Sequence, residues 1–461
     1  MKKTILAGIP VMALDWDSFP RGGESQKKAN EYDAIIIGAG VIGAATAYEL
    51  SRKGFRTLSI DKLPAAGYGP TSNSCAIIRV HYSTLEGAVF AYEGYFYWKS
   101  WKDYLGVADE SGMAVFHDTG CMVMKTDVNG HLAKIREVAD QFGIPYEDWG
   151  PEEIVERLPI YDMQRFAPPK LPADEGFCEP TGGTVGGAVF FPTAGYISDP
   201  QLATHNLQRA AEAKGAQFLF NRRIVEIPQS NGRVTGVVLD DGTHIDAPVV
   251  VNVAGPHSEP VNRLAGADGD MKIHTRALRQ EVTHVPSPEG FNFERSGFVV
   301  SDSDIGVYCR PETGNHILVG SEDPECDDRE WVDPDDYNRE FTDQWTTQAY
   351  RMGQRIPSLG IPSRMKGCVD LYDVSDDWIP IYDKSSVGGF YMAIGTSGNQ
   401  FKNAPVAGAM MAALIEYCEG GEDHDRNPLQ FPLHYVDGSI DVGFYSRLRE
   451  INPESSFSVI G

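Results

Sequence analysis

The sequence predicts an α/β fold in which a Rossmann-type dinucleotide-binding domain is interleaved with an antiparallel-sheet α+β domain. Near the N-terminus, an apolar run is followed by a GxGxxG turn, a helical segment, a second apolar run and an acid. Further along, some stretches are rich in aromatic residues and short alternating runs, which are typical of antiparallel strands. Between them lie further segments with the apolar runs that are typical of buried parallel strands.

The dinucleotide-binding unit begins with a predicted strand at Ala34–Ile37, an apolar run of mainly β-branched residues. The glycines of the motif follow at Gly38, Gly40 and Gly43. In such a turn the first glycine permits a tight bend, the second lets backbone approach a pyrophosphate, and the third lets the helix pack on the strand. The amides at the start of that helix then face the phosphate charge.

A helix and a second strand complete this unit. Small and apolar residues recur at helical spacing after the turn, and Gly54 lies where a C-cap glycine belongs. The strand Arg56–Ile60 ends at Asp61, at roughly the 20-residue spacing at which an acid binds ribose hydroxyls. Nicotinamide enzymes share this pattern, so an NAD dehydrogenase is an alternative at this point.

The composition indicates an acidic globular protein. Asp and Glu number 65 against 40 Lys and Arg, which gives a net charge of −25. Such a surface repels phosphate backbones and anionic lipid, so we expect neither nucleic-acid nor membrane partners. The seven cysteines form no CxxC pair, which favours a reducing, cytoplasmic location over a disulfide scaffold.

The first residues loosely resemble a signal peptide, because Lys2 and Lys3 precede the apolar stretch Ile5–Leu14. A glycine and a proline interrupt that stretch, and no A-x-A cleavage site follows it. We therefore interpret residues 1–31 as an N-terminal extension.

Five further segments carry a resemblance to a known family: GPTSNSCAIIRVHYS (69–83), FFPTAGYISDPQLATHNLQRAAEAKGAQFLFNRRIVEI (190–227), VVVNVAGPHS (249–258), LYDVSDDWIPI (371–381) and GTSGNQFKNAPVAGAMMAALI (395–415). In this order they resemble the D-amino-acid-oxidase superfamily of FAD-dependent oxidoreductases, above all its branch of sarcosine oxidases and dimethylglycine dehydrogenases. The resemblance covers about residues 32–415 and implies FAD, rather than NAD, as the cofactor.

The resemblance also implies which residues bind FAD. Two residues of one strand would touch the adenine region, and a glycine-rich turn near the end would bring backbone N–H groups against a flavin carbonyl. No metal site is expected. The implied cofactor-binding set is Gly38, Gly40, Gly43, Asp61, Ser74, Cys75, Ala76, Ile224, Val225, Ala254, Gly255, Gly395, Ser397, Gly398, Asn399 and Gln400.

These motifs divide the chain into interleaved segments. The FAD-binding domain would comprise 32–86, 195–258 and 366–415, the substrate domain 87–194 and 259–365, and a polar C-terminal extension 416–461. The antiparallel strands of the substrate domain are predicted at Met113–Phe116, Cys121–Lys125, Ser296–Ser301, Gly306–Arg310 and His316–Gly320.

The resemblance implies a substrate site as well. Arg79 and Lys402 match the two cations with which sarcosine oxidases grip a substrate carboxylate, the arginine as a two-donor fork and the lysine as a point charge. The other candidates are His81, as a base or orienting group, and the pocket tyrosines Tyr82, Tyr308 and Tyr372. The alternative interpretation is structural: surface or capping cations, sheet-face tyrosines and a satisfied histidine.

Two positions depart from the sarcosine oxidase pattern. Leu318 lies where those enzymes keep an oxygen-activating lysine, with Glu322 just beyond it, so a dehydrogenase is favoured over an oxidase. Asp370 replaces the cysteine that tethers FAD, while Cys368 lies two residues earlier, about 7 Å away along a strand. Noncovalent FAD is therefore expected.

The predicted activity is oxidation of the C–N bond of a small carboxylate-bearing amine, such as an N-methyl or imino amino acid. The neutral amine would pass hydride to flavin N5, and water would hydrolyse the iminium. An electron-acceptor protein or partner subunits would then reoxidise the flavin. Two alternatives stay open: a D-amino acid or 2-hydroxy acid dehydrogenase, and a flavin-binding beta-type subunit of a multimeric sarcosine oxidase-like complex.

Overall fold

The computed structural model describes residues 31–460. The predicted N-terminal extension, apart from Glu31, lies outside the described residues. The helices are α1 (Val41–Arg52), α2 (Leu85–Lys99), α3 (Trp101–Leu105), α4 (Leu132–Phe142), α5 (Pro151–Arg157), α6 (Pro200–Glu212), α7 (Ser258–Ala265), α8 (Phe293–Ser296), α9 (Asp343–Arg355) and α10 (Ala404–Glu419). Short 3-10 helices span Gly255–His257, Phe401–Asn403 and Val442–Tyr445.

The chain also contains twenty-five strands among the described residues. They are β1 (Ala34–Ile37), β2 (Thr57–Ile60), β3 (Ile77–Ile78), β4 (Phe116–His117), β5 (Cys121–Met124), β6 (Glu147–Trp149), β7 (Ala188–Phe191), β8 (Gly195–Ile197), β9 (Gln217–Leu219), β10 (Ile224–Glu226), β11 (Gln229–Ser230), β12 (Arg233–Val234), β13 (Gly236–Leu239), β14 (His244–Asp246), β15 (Val249–Asn252), β16 (Thr275–Pro286), β17 (Val299–Asp302), β18 (Val307–Glu312), β19 (His316–Ser321), β20 (Trp331–Val332), β21 (Gly367–Ser375), β22 (Ile381–Lys384), β23 (Phe390–Ile394), β24 (Gln430–Pro432) and β25 (Ser439–Asp441).

The predicted dinucleotide-binding unit forms the centre of a six-stranded sheet. Its strand order is β22-β23-β15-β1-β2-β9, and every pair is parallel except β22 with β23. Ile35 of β1 lies between Leu58 of β2 and Val250 of β15, and all four residues of each of these strands are buried. Burial on both faces explains why these strands are continuous apolar runs.

Alternate residues of β1 contribute to different cores, as the two-residue period of a strand requires. Ala34 and Ile36 belong to the core that contains helices α1, α6 and α10, while Ile35 and Ile37 belong to the core that contains the three-stranded sheet β10-β13-β14. Helices α1 and α10 approach closely at Gly408, where an added Cβ would lie 2.6 Å from a backbone carbon of α1.

A nine-stranded, mainly antiparallel sheet forms the second layer, as predicted. Its order is β20-β16-β19-β18-β17-β5-β7-β6, with β21 also paired to β16, and only the pair of β5 with β17 is parallel. The predicted strands at Cys121–Lys125, Gly306–Arg310 and His316–Gly320 correspond to β5, β18 and β19. The α/β class with interleaved parallel and antiparallel sheets is thus confirmed.

Two strand predictions need correction. The strand predicted at Ser296–Ser301 begins only at Val299, because Ser296 ends helix α8. Of Met113–Phe116 only Phe116 is in a strand, and that strand pairs with β8 instead of joining the large sheet. The amide of Ala114 donates to the side chain of Asn206, at 2.9 Å, so side-chain hydrogen bonding replaces a strand partner here.

The segment predicted as a C-terminal extension packs on the body of the protein. Helix α10 continues to Glu419, beyond residue 415, where the FAD-binding domain was predicted to end. The hairpin β24–β25 buries Phe431 and Ile440 in the core that contains α1 and α10. Arg447, 2% exposed, forms ion pairs with three aspartates, Asp270, Asp383 and Asp425.

The domain boundaries themselves stay a prediction. Within residues 31–460, no helix has the length and hydropathy to cross a membrane.

Candidate active site

A cavity of about 1330 Å³ lies between the two large sheets. One side is formed where β1, β2 and β15 end, at Gly38, Asp61 and Val253, and the other side by residues of β16 and β21. The carboxyl ends of parallel strands are where open α/β sheets bind ligands. The volume exceeds the roughly 300–1,000 Å³ of ordinary small-molecule sites, so a dinucleotide and a small substrate fit together.

The glycine turn at one end of the cavity has little room for side chains. A Cβ on Gly38, whose φ is +110°, would lie 2.4 Å from the carbonyl oxygen of Val253, and one on Gly43 would lie 2.2 Å from the carbonyl oxygen of Gly38. A Cβ on Gly40 would lie 3.2 Å from Thr71 Oγ1. Gly38 and Gly43 therefore have no space for a side chain and Gly40 has little, while the approach of Gly40 to a pyrophosphate stays a prediction.

Asp61 follows β2 and lines the cavity beside this turn. Its Oδ2 accepts a hydrogen bond from the Ala39 amide at 2.7 Å, and its Oδ1 accepts one from the Leu63 amide at 2.9 Å. Each carboxylate oxygen keeps a second lone pair, so the group can still accept hydrogen bonds from ribose hydroxyls. Ile224 also lines the cavity, whereas Val225 is 46% exposed and lies outside its wall, because neighbouring strand residues point to opposite faces.

The predicted flavin-contact loop after Pro70 lines the cavity with Ser74, Cys75 and Ala76. Ser74 Oγ accepts from the Ala76 amide at 3.0 Å, and Ala76 has a φ of +48°. Arg310 Nε donates to the Cys75 carbonyl at 2.6 Å, which fixes the loop to β18. Burial raises the pKa of the Cys75 thiol, so this cysteine stays protonated.

The remaining predicted cofactor residues, in the turn after β23 and just after β15, fall into two groups. Gly398, Asn399, Gln400, Ala254 and Gly255 line the cavity. Gly395 and Ser397 lie outside the wall and hold the turn in place: both amides donate at 2.6 Å to Asp373, one to its Oδ2 and one to its carbonyl. Burial raises the pKa of Asp373 to about 7, which the hydrogen bond from the Gly395 amide to its carboxylate partly opposes.

Arg79 and Lys402, far apart in sequence, meet at Tyr82. The guanidinium of Arg79 lies 4.3 Å from the centre of the Tyr82 ring, and Lys402 Nζ donates to the Tyr82 hydroxyl at 2.8 Å and to the Asn399 carbonyl at 2.5 Å. Both cations are buried and line the cavity. Tyr82 itself is not part of the cavity wall and supports the two cations from behind.

These two cations lack ion-pair partners in the described part of the chain, since no carboxylate lies within 4.0 Å of either. Burial, and then the charge of Arg79, hold the pKa of Lys402 well below its ordinary value. The charged form of Lys402 is costly beside buried Arg79 without a counter-ion, and an anion bound in the cavity would lower that cost.

His81 lines the cavity beside Arg79 and stacks on Phe191, with ring centroids 5.3 Å apart. Both of its ring nitrogens are buried without a hydrogen-bond partner in the structure. Burial and the nearby cations Arg79 and Lys402 hold the pKa of His81 well below 6.5. The imidazole is therefore neutral, with one donor and one acceptor available to a bound molecule.

Tyr308 and Tyr372 face each other in the cavity wall, with their hydroxyl oxygens 3.4 Å apart. The Tyr308 hydroxyl also lies 3.5 Å from Cys75 Sγ. Two glycines make room for these rings, since a Cβ on Gly320 would lie 2.3 Å from Tyr308 and one on Gly398 would lie 2.5 Å from Tyr372. Burial raises the pKa of both tyrosines, so both remain hydroxyl donors.

The two positions relevant to covalent attachment lie on one face of β21. Cys368 and Asp370 both line the cavity, and Asn73 contacts both of them: its Nδ2 donates to Asp370 at 2.6 Å and its carbonyl lies 3.5 Å from Cys368 Sγ. Burial raises the pKa of Cys368 to about 12, which disfavours the thiolate needed for a covalent link.

Two features near this site were not predicted: the burial of Glu322, which lies outside the cavity wall, and the presence of Val459 and Ile460 in that wall. Glu322 is 5% exposed and accepts hydrogen bonds from the hydroxyls of Ser301 and Ser303, at 2.5 Å and 2.8 Å. Val459 and Ile460 line the cavity although the resemblance ends near residue 415. The position of Glu322 just beyond Leu318 was a signal for the first, but the sequence contains no signal for the second.

The residues present fit FAD. Gly38 and Gly43 lie too close to neighbouring backbone for any side chain, helix α1 begins at the cavity, and Asp61 lies at the end of β2. These are the features that hold pyrophosphate and ribose in dinucleotide-binding folds.

Comparison with known proteins agrees with this geometry. In solved structures, L-proline dehydrogenase from P. horikoshii superposes with a TM-score of 0.71 at 21% identity, over 91% of this chain and 98% of that one. Glycine oxidase from Geobacillus kaustophilus gives a TM-score of 0.70 at 17% identity, over 92% and 100%. Structural similarity at these sequence identities shows only that the chain shares their fold.

In sequence, N-methyl-L-tryptophan oxidase from Yersinia pestis (strain Pestoides F) is 26% identical over 223 residues, which are 48% of this chain and 53% of that protein. The match thus spans about half the length of this relative. The model of the family described as FAD dependent oxidoreductase (DAO) matches residues 33–414. The chain therefore belongs to the DAO family of FAD-dependent oxidoreductases.

Proposed function

We propose that this protein oxidises the C–N bond of a small amine that carries a carboxylate, such as an N-methyl or imino amino acid. The observation that carries the proposal is the pair of buried cations, Arg79 and Lys402, on one cavity without ion-pair partners among the described residues. The partial similarity to an N-methyl amino acid oxidase favours the same substrate class.

The two cations would hold the substrate through its carboxylate. Arg79 donates from one terminal nitrogen to the His81 carbonyl and from the other to the Val459 carbonyl. Of its five N–H groups, three are then left for a carboxylate. A carboxylate near Lys402 would raise the depressed pKa of that lysine again, so it would bind with uptake of a proton.

The same charges would control the protonation of the substrate amine. A neutral amine has the lone pair that C–N oxidation needs, and two nearby cations disfavour its ammonium form. Neutral His81, with both ring nitrogens unpartnered, can hydrogen-bond to that amine. Bound FAD would supply the hydride acceptor. Tyr308 and Tyr372 would exclude water from the reacting atoms.

A dehydrogenase is more consistent with this site than an oxidase. Leu318 is 4% exposed and packs with Tyr308 and Val374 on β18 and β21, so the position that would carry an oxygen-activating lysine is apolar. An electron-acceptor protein, or partner subunits, would then take the electrons. The high pKa of Cys368, about 12, supports noncovalent FAD.

Single substitutions of the cations test this proposal. Arg79→Met and Lys402→Met should each lower kcat/KM for N-methylglycine roughly 30- to several-thousand-fold, the cost of about 2–5 kcal/mol for breaking a buried charge-assisted pair. The flavin spectrum should be unchanged. Anaerobic bleaching of the flavin measures the reaction, with other N-methyl amino acids, D-amino acids and 2-hydroxy acids tested in parallel.

Lys134→Met is the matched control, since Lys134 is exposed on helix α4 and its loss should change nothing. For a substrate whose carboxylate is replaced by an amide, kcat/KM should already be low with the unmodified enzyme. The two variants should lower it little further. If both variants oxidise the carboxylate substrate at the normal rate, the cations are structural, and a neutral amine or an alcohol becomes the better candidate.

A further inference from the structure

We propose that residues 455–460 form part of the substrate site, where Val459 positions Arg79 and limits the size of the substrate's side chain. This inference rests on the proposed carboxylate-binding role of Arg79. It concerns a segment outside the residues matched by the family model, which end at 414.

The segment reaches the cavity from outside the two large sheets. Val459 and Ile460 are both in the cavity wall, and Val459 is 7% exposed. Its side chain belongs to a buried cluster with Cys75, Tyr308 and Leu318, of which Cys75 and Tyr308 also line the cavity. Val459 therefore occupies space next to the proposed reaction site.

Val459 also determines how Arg79 is oriented. Its carbonyl accepts a hydrogen bond from one terminal nitrogen of Arg79 at 2.9 Å, while the His81 carbonyl accepts from the other terminal nitrogen. With both terminal nitrogens held and its central carbon 4.3 Å from the centre of the Tyr82 ring, the guanidinium has one orientation. Its remaining donors are then prearranged for a carboxylate, which reduces the entropy cost of binding.

The segment is itself held in place. Arg329 donates to the Phe457 carbonyl at 2.6 Å and stacks 4.9 Å from the centre of the Trp378 ring. Within the segment, the Phe457 amide donates to Ser455 Oγ at 3.2 Å. These contacts fix the backbone around Val459, so its carbonyl can act as a rigid acceptor for Arg79.

The consequence is a preference for small substrates. A molecule bound by its carboxylate to Arg79 meets the packed side chain of Val459, because the carbonyl that contacts Arg79 belongs to the same residue. Amino acids with a hydrogen, a methyl group or a small ring should fit, while those with an indole should not.

Binding of unreactive carboxylates to the FAD-loaded protein tests both roles. Acetate and indole-3-acetate serve as small and large probes, and the flavin absorbance reports their dissociation constants. Val459→Ala removes the side chain and keeps the carbonyl. It should therefore tighten the binding of indole-3-acetate relative to that of acetate by roughly tenfold or more, while the dissociation constant of acetate changes little. Deletion of residues 455–461 should weaken the binding of acetate by roughly tenfold, because Arg79 loses its orientation.

Ile451→Ala is the matched control, since this nearby apolar side chain is 54% exposed and outside the cavity wall. An unchanged ratio of the two probes in Val459→Ala would overturn the size limit. Tighter acetate binding after the deletion would show that the segment blocks Arg79 and does not position it. If no form of the protein binds either carboxylate, the proposed substrate class itself fails.

Discussion

Replacing Glu322 with glutamine should remove part of the pH dependence of stability. Burial raises the pKa of this carboxyl from 4.5 to about 7, although Ser301 and Ser303 donate hydrogen bonds to it. Each pKa unit corresponds to about 1.36 kcal/mol, so the change is worth about 3 kcal/mol. With the side chain 5% exposed, little of this is lost to solvent screening.

The sign follows from proton binding. Between pH 4.5 and about 7 the folded protein keeps the Glu322 proton while the unfolded chain loses it. The stability of the wild-type protein should therefore fall as pH rises through this range. Glutamine has no such proton, so Glu322→Gln should match the wild type near pH 4.5 and be more stable at pH 8 by up to about 3 kcal/mol.

Thermal unfolding of the FAD-loaded protein from pH 4.5 to 8.5 measures this difference. At about 2.1 cal/mol/K per residue, 3 kcal/mol corresponds to a rise in Tm of about 3 °C at pH 8 for a protein of this length. Glu325→Gln, at an exposed position three residues away, is the control and should show no such trend. A Glu322→Gln variant that is less stable by the same amount at every pH would refute the reasoning.

Three further predictions concern FAD and oxygen. Asp61→Ala should weaken FAD binding by about 1–3 kcal/mol, measured as flavin retained after dialysis, because it leaves the Ala39 amide and the ribose without their acceptor; full retention would mean that the ribose contact is misassigned. Acid denaturation of the wild-type protein should release the flavin, and colour that stays with the precipitate would indicate a covalent bond. Leu318→Lys should speed reoxidation of the reduced flavin in air by roughly 100-fold in stopped-flow measurements, whereas Leu318→Met should not. Fast reoxidation of the wild type would contradict a dehydrogenase.

The sequence by itself determined the dinucleotide-binding unit. Strand β1, the glycine turn, helix α1 and Asp61 are contiguous, and backbone sterics at Gly38 and Gly43 leave little choice of residue, so the pattern is visible locally. The family resemblance added the candidate cations, because Arg79 and Lys402 each lie within a recognisable motif.

Only the tertiary structure decided how these residues act together. That Arg79 and Lys402 share Tyr82, and that Glu322 is buried, depends on strands and loops distant in sequence. Local pattern also failed at Met113–Phe116, where the side chain of Asn206 takes a strand partner's place.

The 455–460 segment is the clearest case of this limit. Its serine-rich sequence predicts no element, yet Val459 contacts Arg79 across 380 residues. A pKa, an orientation or a cavity wall arises from whichever groups lie nearest in space, and those neighbours follow from long-range packing that no short stretch of sequence encodes.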